Sequence, residues 1–259
     1  MSRETMRVIR RISRRAWLTR VVPGTVAVWT EVTFGLGRKG WSVALGGENL
    51  AVSLAEAEAL DPTEALRVNM GFVNAYVLVR GQEIAIVDTG TPNNGTKFAE
   101  VIRAAGLGWE AVRHVILTHY HPDHIGSMGE VLGAASGATA YAGAADIPQI
   151  KSSRTIKAVG DNAEVFGLRI IATPGHTPGH ICVFDPASSL LILGDAMVNI
   201  NNRLDGPNPQ YTVDMTQAHR SVKKLAGITF ERAVFGHGEP IDKGASQAIA
   251  KLAKQLADG

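Results

Sequence analysis

The sequence predicts an α/β protein with helices packed around stacked sheets, and three observations carry that reading. Short apolar or alternating runs suited to strands take turns with helix-period runs along most of the chain. Several strand-like runs end on Asp or His flanked by glycine, as expected if their ends meet at one cleft. The composition, 259 residues with 45% hydrophobic and 19% charged, is that of a globular chain long enough for a sizeable core.

In chain order, the runs at 26–34 and 41–54 read as strands, and Glu56 to Asp61 is a small acidic linker closed by Pro62. Leu66 to Val79, rich in Val, Tyr and Phe, leads through the turn Arg80-Gly81-Gln82-Glu83 into Ile84-Ala85-Ile86-Val87. That pair reads as a hairpin ending at Asp88-Thr89-Gly90. Thr96 to Ala105 is helical and is stopped by Gly106 and Gly108. Val112 to Thr118 is an apolar strand, followed by helices at 125–135 and 144–150. Strands are expected at 139–141, 164–173, 180–184 and 189–194. Asp214 to Ala226 is a helix with a polar face, and Ala233-Val234-Phe235 is a strand. Gly244 to Asp258 is a closing amphipathic helix with Ala245, Ala248, Ile249, Leu252 and Leu256 on one face. No repeat at solenoid periods interrupts this order.

The formal net charge of +2 conceals an asymmetry. Residues 1–20 hold seven arginines and one acid, a charge of +6, which leaves −4 on the remainder. A mildly acidic body argues against a nucleic-acid partner. No run of 18 apolar residues is present, so stable membrane insertion is not expected. Ser13-Arg14-Arg15-Ala16-Trp17-Leu18-Thr19 resembles a twin-arginine export signal, although the apolar stretch behind it is short and broken by Pro23-Gly24. A basic membrane-surface arm and a structured first segment are the competing readings of residues 1–30, with residues 31–259 as one domain. The single cysteine, Cys182, excludes an internal disulfide and a thiolate-rich metal site, and it sits in the apolar run Ile181 to Phe184 as a buried thiol.

The chemistry concentrates in His119-Tyr120-His121-Pro122-Asp123-His124, directly after a strand. Alternate residues His119 and His121 point the same way if the chain stays extended, and the turn at Pro122 swings Asp123 and His124 toward a second centre. Imidazole with carboxylate suits zinc and other borderline divalent metals. Further candidate ligands stand in the same setting downstream: His176 in the turn Thr173-Pro174-Gly175-His176-Thr177-Pro178-Gly179-His180, Asp195 after Leu190 to Gly194, and His237 after Ala233 to Gly236.

The His-x-His-x-Asp-His run, with His176, Asp195 and His237 following in order, resembles the metallo-β-lactamase superfamily over about residues 66 to 240. The resemblance implies a four-layer αββα sandwich with two metals at one sheet edge. It assigns one metal to His119, His121 and His176, the other to Asp123, His124 and His237, and a bridging role to Asp195. The metals are expected to be zinc, with iron or manganese as alternatives. The strand-Asp-Thr-Gly turn at Asp88 resembles the family's first motif, whose acid orients the ligand loop, and His180 is read as supporting the site from behind. The bridging aspartate points to the glyoxalase II and lactonase-like branch rather than to the true β-lactamases.

The implied activity is that of a metal-dependent hydrolase. A metal-activated hydroxide attacks a small ester, lactone or related acyl substrate, and Asp123 orients the nucleophile. β-Lactam hydrolysis and iron-dependent sulfur dioxygenation are the alternative activities within the superfamily. The 22 residues after His237 are fewer than the C-terminal portion usual in glyoxalase II-like enzymes, which counts against glutathione thioesters. The polar loop Asn199 to Tyr211 reads either as a substrate wall or as a connector. Arg203 is its candidate for an anionic substrate group, with Asn199, Tyr211 and, from the ligand loop, Tyr120 as further substrate contacts.

Overall fold

The computed structural model describes residues 63–256. The expectations for residues 1–30 and the strands at 26–34 and 41–54 lie outside the described residues. Six strands form the first sheet in sequential order: β1 (Glu64–Asn69), β2 (Asn74–Arg80), β3 (Glu83–Val87), β4 (Val112–Leu117), β5 (Thr139–Gly143) and β6 (Ile156–Val159). The pairs β1–β2 and β2–β3 are antiparallel, and β3 through β6 run parallel. Parallel neighbours need crossovers, and α1 (Gly95–Ala104) and α3 (Met128–Ala134) supply two of them. A single turn of helix, α2 (Pro122–Ile125), precedes α3.

The second sheet has the order β13-β10-β9-β8-β7, with β7 (Glu164–Val165), β8 (Leu168–Ala172), β9 (Ile181–Asp185), β10 (Leu190–Ile192) and β13 (Arg232–Val234). A small hairpin, β11 (Val198–Ile200) with β12 (Arg203–Asp205), stands apart from both sheets. Helices α4 (Met215–Leu225) and α5 (Ala245–Gln255) follow. Asp214 caps α4 by accepting the Gln217 N–H at 2.9 Å.

Period-two alternation sorts the side chains into layers. On β2 and β3, Tyr76, Leu78, Ala85 and Val87 face the other sheet and meet Ile170, Ile181, Val183 and Ile192. Their neighbours Ala75, Val77, Ile84 and Ile86 face outward onto Phe98, Ile102 and Val131 of the first helix layer. On the far side, Cys182, Phe184 and Leu191 pack beneath Val222, Leu225 and Ile249. The result is the four-layer αββα order that the sequence resemblance implies, and the polar residues at the strand ends are left at its edge.

Several local expectations differ from the structure: Leu66 to Val79 is two antiparallel strands, β1 and β2, joined by a turn at Met70 to Val73, and the helix expected at 125–135 is broken before Met128. The helix expected at 144–150 is a single 3-10 turn, Ile147–Gln149, because Pro148 offers no N–H to continue it. The strand expected over 164–173 is two strands joined by Phe166 and Gly167, both at positive φ (60° and 69°), a two-residue hairpin turn. Arg80 helps hold that turn, with its guanidinium 5.0 Å from the Phe166 ring centroid and a hydrogen bond to the Phe166 carbonyl. The segment after Asp195 is a hairpin rather than a plain loop. It turns through Asn201 and Asn202 at φ 53° and 59°, a conformation that asparagine tolerates.

Candidate metal centre

Strand direction brings the candidate ligands to one edge. β3 and β4 are parallel, so Asp88 and His119 leave the first sheet at the same end. In the second sheet β8 and β10 are each antiparallel to β9, and β13 is parallel to β10. The chain beyond β8, β10 and β13 therefore emerges together, carrying His176, Asp195 and His237. Two backbone hydrogen bonds stitch the sheets at that edge, Ile181 N–H to Thr118 O at 2.9 Å and Asn74 N–H to Gly236 O at 2.8 Å.

The facing atoms form two triads. Nε2 of His119 and Nε2 of His176 lie 3.1 and 3.0 Å from Nδ1 of His121. Nε2 of His237 is 3.4 Å from Nε2 of His124 and 3.4 Å from a carboxylate oxygen of Asp123. Asp195 stands between the triads, with Oδ2 3.5 Å from His176 Nε2 and 3.2 Å from His237 Nε2, and Oδ1 3.2 Å from His124 Nε2. His119, His124, His176 and Asp195 are buried, while Asp123 and His237 are half-buried.

Outer hydrogen bonds set which ring nitrogens are bare. The Phe72 carbonyl can only accept, so His237 donates Nδ1–H to it at 2.7 Å. Thr212 donates its hydroxyl to Asn208 O at 2.7 Å and therefore accepts Nδ1–H of His176 at 3.1 Å. Asp88 takes the Thr118 N–H at 2.7 Å, the Thr118 hydroxyl at 2.8 Å and Nδ1–H of His124 at 2.9 Å. The Thr118 oxygen is then free to accept Nδ1–H of His119 at 3.0 Å. In each of these four rings the outer nitrogen carries a proton, which leaves Nε2 as the atom that faces inward and would bind a metal.

Burial holds His119 well below its ordinary pKa, lowers His121, and brings His176 down to about 4, so this triad is neutral imidazole near pH 7. Burial also opposes charge on His124 and His237. There Asp195 with Asp88 raises His124, and Asp123 with Asp195 takes His237 up to about 10. Burial works against ionised Asp195 too, but the His124 and His237 contacts hold it well below the usual carboxylate range.

The donor set fits divalent metal ions. Oδ1 of Asp195 is buried with His124 Nε2 3.2 Å away but out of line for a hydrogen bond, an arrangement that a cation held between the two atoms would complete. Three groupings of ligand atoms lie within 4.8 Å of one another: His119–His121–His176, His119–His124–Asp195 and Asp123–His124–His237. Gly236 is the close approach that permits this, since a Cβ there would fall 2.4 Å from Asp195 Oδ1 and 2.6 Å from His124 Cε1.

His180 points away from the cluster. Its Nε2 accepts the Asp195 N–H at 3.1 Å and its Nδ1–H reaches Thr173 Oγ1 at 2.8 Å, so it steadies the backbone beneath Asp195. Among the residues expected at the substrate, Tyr211 lines the cavity above the cluster. Arg203 does not line it, because its exposed guanidinium pairs with Asp205 at 3.2 Å. Asn199 is buried and donates to Glu239 O at 2.7 Å. Tyr120 packs against the outer core with its ring edge on His121 at 5.0 Å. The hairpin turn through Asn201-Asn202 aims Arg203 and Asn199 away from the site.

Sequence reasoning missed Asp146, Thr118, Phe72 and Thr212. Asp146 is buried in the loop after β5 and accepts the Thr177 hydroxyl and the Gly179 N–H, both at 2.6 Å, which ties down the turn that carries His176. Its sequence setting, inside an expected helix, carries no such signal. The Asn-Asn pair between Ile200 and Arg203, inside the alternating run Val198 to Asp205, is a readable hairpin signal.

A family model of the metallo-β-lactamase superfamily matches residues 68–237, and the chain belongs to that superfamily as a metal-dependent hydrolase. It is 30% identical over 216 residues to the probable metallo-hydrolase YflN of Bacillus subtilis (strain 168), covering 66% of this chain and 81% of that one. It is 31% identical over 163 residues to a hydroxyacylglutathione hydrolase of Ectopseudomonas mendocina (strain ymp), covering 56% of this chain and 59% of that one. It therefore spans under two thirds of that hydrolase. Among solved structures it is similar to a metallo-β-lactamase family protein from Thermus thermophilus, TTHA1429. The TM-score is 0.59 at 23% identity, over 76% of this chain and 79% of that one.

Proposed function

We propose that the chain is a dinuclear metal-dependent hydrolase of small acyl compounds: esters, lactones or thioesters. The observation that carries this reading is Asp195, whose carboxylate stands between two complete ligand triads. His119, His121 and His176 would hold one ion, Asp123, His124 and His237 the other, with Asp195 shared. The imidazole and carboxylate set suits zinc best, and iron or manganese accept the same donors. When bound, the ions supply Lewis acidity that activates water and polarises the acyl oxygen.

The chain's own residues do the rest. Asp123 lines the cavity, and although burial opposes its charge, His237 and His124 keep its pKa below the ordinary value. It is thus an ionised acceptor that orients the attacking water and takes up its proton. Asp88, through Thr118 and His124, holds the ligand rings in their binding tautomers. Water adds across the acyl C–O or C–S bond to give a carboxylic acid and an alcohol or thiol. The YflN relative, named a probable metallo-hydrolase, and the relative named for hydroxyacylglutathione support hydrolysis of this class.

The test is metal content followed by turnover of aryl esters, lactones and thioesters. Two divalent ions per chain are expected, and Asp123→Asn and His121→Ala should each abolish turnover in a folded protein. Turnover that persists in protein shown to be stripped of metal would sink the reading.

A small-molecule substrate, with neither nucleic acid nor stable membrane insertion, belongs to the same proposal. Among the described residues no helix is long and apolar enough to cross a membrane. Export by the twin-arginine route is proposed from Arg14-Arg15. A reporter fused to residues 1–30 should stay in the cytoplasm once Arg14→Lys and Arg15→Lys are combined, and unchanged export would remove the idea.

A further inference from the structure

Four large apolar side chains stand exposed among the described residues: Phe72 (64%), Ile200 (47%), Tyr211 (58%) and Val213 (65%). Three of them, Phe72, Ile200 and Tyr211, line one cavity of about 590 Å³. Of its polar lining residues, His121, Asp123, Asp195 and His237 belong to the metal cluster and form the floor, and Asn208 lies outside the cluster. Val198 and Pro122 extend the apolar wall, and no lysine or arginine is among the described lining residues. Scattered exposed hydrophobics are ordinary, but three of four converging over a polar floor have the composition of a ligand site.

The wall is fixed relative to the cluster. The Phe72 ring stacks on His237 at 6.0 Å and 8°, and its carbonyl accepts the His237 Nδ1–H. Ile200 follows Asn199, whose N–H donates to His237 O at 3.1 Å. Tyr211 precedes Thr212, the partner of His176 Nδ1. Each wall residue is therefore held at a set distance from a candidate ligand histidine.

We propose that Phe72, Val198, Ile200 and Tyr211 form an acyl subsite that takes the hydrocarbon part of an uncharged ester, thioester or lactone. The proposal rests on the acyl-hydrolase reading above, with the scissile carbonyl on the floor. A substrate whose acyl chain ends in a carboxylate is disfavoured. That charge would be desolvated against the apolar wall, where no lysine or arginine stands among the described lining residues.

The experiment uses the metal-loaded full chain and p-nitrophenyl acetate, butyrate, hexanoate and octanoate, with mono-p-nitrophenyl glutarate as the charged counterpart of the butyrate. kcat/KM should rise roughly two- to fourfold per methylene through hexanoate, the range set by partial to full burial of a CH2. The glutarate should fall at least about tenfold below the butyrate, the cost of burying an unpaired charge. Ile200→Ser and Phe72→Ser should each flatten the chain-length slope. If the esters are cleaved but the slope is flat, or the glutarate keeps pace, the subsite is overturned while acyl hydrolysis stands. If no ester, lactone or thioester is cleaved, the acyl-hydrolase reading fails, and calorimetry still tests the wall. Binding of 2-octanone at least about tenfold tighter than 2-butanone supports an apolar subsite, and equal binding overturns it.

Discussion

Asp88→Asn isolates the hydrogen bonds behind the cluster with little change of shape. Asp88 adopts φ 61°, which asparagine tolerates and alanine resists, so the backbone turn should survive. The amide oxygen can still accept the Thr118 N–H, now at 2.7 Å. The amide nitrogen then occupies the place of Oδ2, which accepts from the Thr118 hydroxyl and from His124 Nδ1–H. Thr118 can rotate its hydroxyl and accept instead. His124 has no such freedom, because its Nδ1–H would meet another donor, and the ring shifts its proton to Nε2. That atom faces Asp195 Oδ1 at 3.2 Å and is the one needed for a metal. Loss of an outer partner of this kind weakens metal binding about 10- to 100-fold, or roughly 1.4–2.7 kcal/mol. The loss should fall on the Asp123–His124–His237 triad and spare His119–His121–His176. Competition with a chromophoric chelator, resolved into two binding steps, reads it directly. If both steps keep their wild-type affinities in a variant whose melting temperature is also unchanged, Asp88 does not set the His124 tautomer.

Asp146→Ala removes the acceptor for two 2.6 Å hydrogen bonds from Thr177 and Gly179, so stability should fall by about 2–4 kcal/mol in urea denaturation. The step assigned to His176 should weaken with it, and unchanged binding would show that this turn needs no anchor. Without metal, His237 is raised to about 10 by Asp123 and Asp195 against the opposing effect of burial, so its proton is bound in the folded state below that pH. That contribution to stability is complete below the ordinary histidine value of about 6.5 and is lost as pH rises through about 10. Metal must displace the same proton, so log affinity should climb by about one per pH unit for His237, and toward two if His124 also releases one. A flat profile between pH 7 and 9 would contradict this. Burial pushes the Cys182 thiol up to about 12, so Ellman's reagent should find no reactive thiol in native protein at pH 8 and one per chain in denaturant.

Much of the candidate site is legible along the chain because strand-end chemistry is local. His119 to His124 crowd into six residues after an apolar strand, and His176, Asp195 and His237 each sit beside glycine at the end of another. The layers are legible too, since alternation on β2, β3, β9 and β10 separates the inter-sheet face from the helix-facing one. The polar supports are harder to read. Asp146 lies thirty-one residues from Thr177, and its role follows from the pairing of loops on different sheets. Arg203 and Asn199 have suitable chemistry for a substrate, and the two-residue turn at Asn201-Asn202 directs them elsewhere.

The class of chemistry is written along the chain: imidazole and carboxylate donors at strand ends, in the order that marks a metallo-β-lactamase superfamily member. Strand direction in two separate sheets then makes these donors meet, with Asp195 between two triads. Which ring nitrogens are bare, and which side chains wall the cavity, emerges only from the packed molecule. Both depend on partners far away in the chain, such as Phe72 against His237, and residue spacing does not encode contacts between loops brought together by sheet packing.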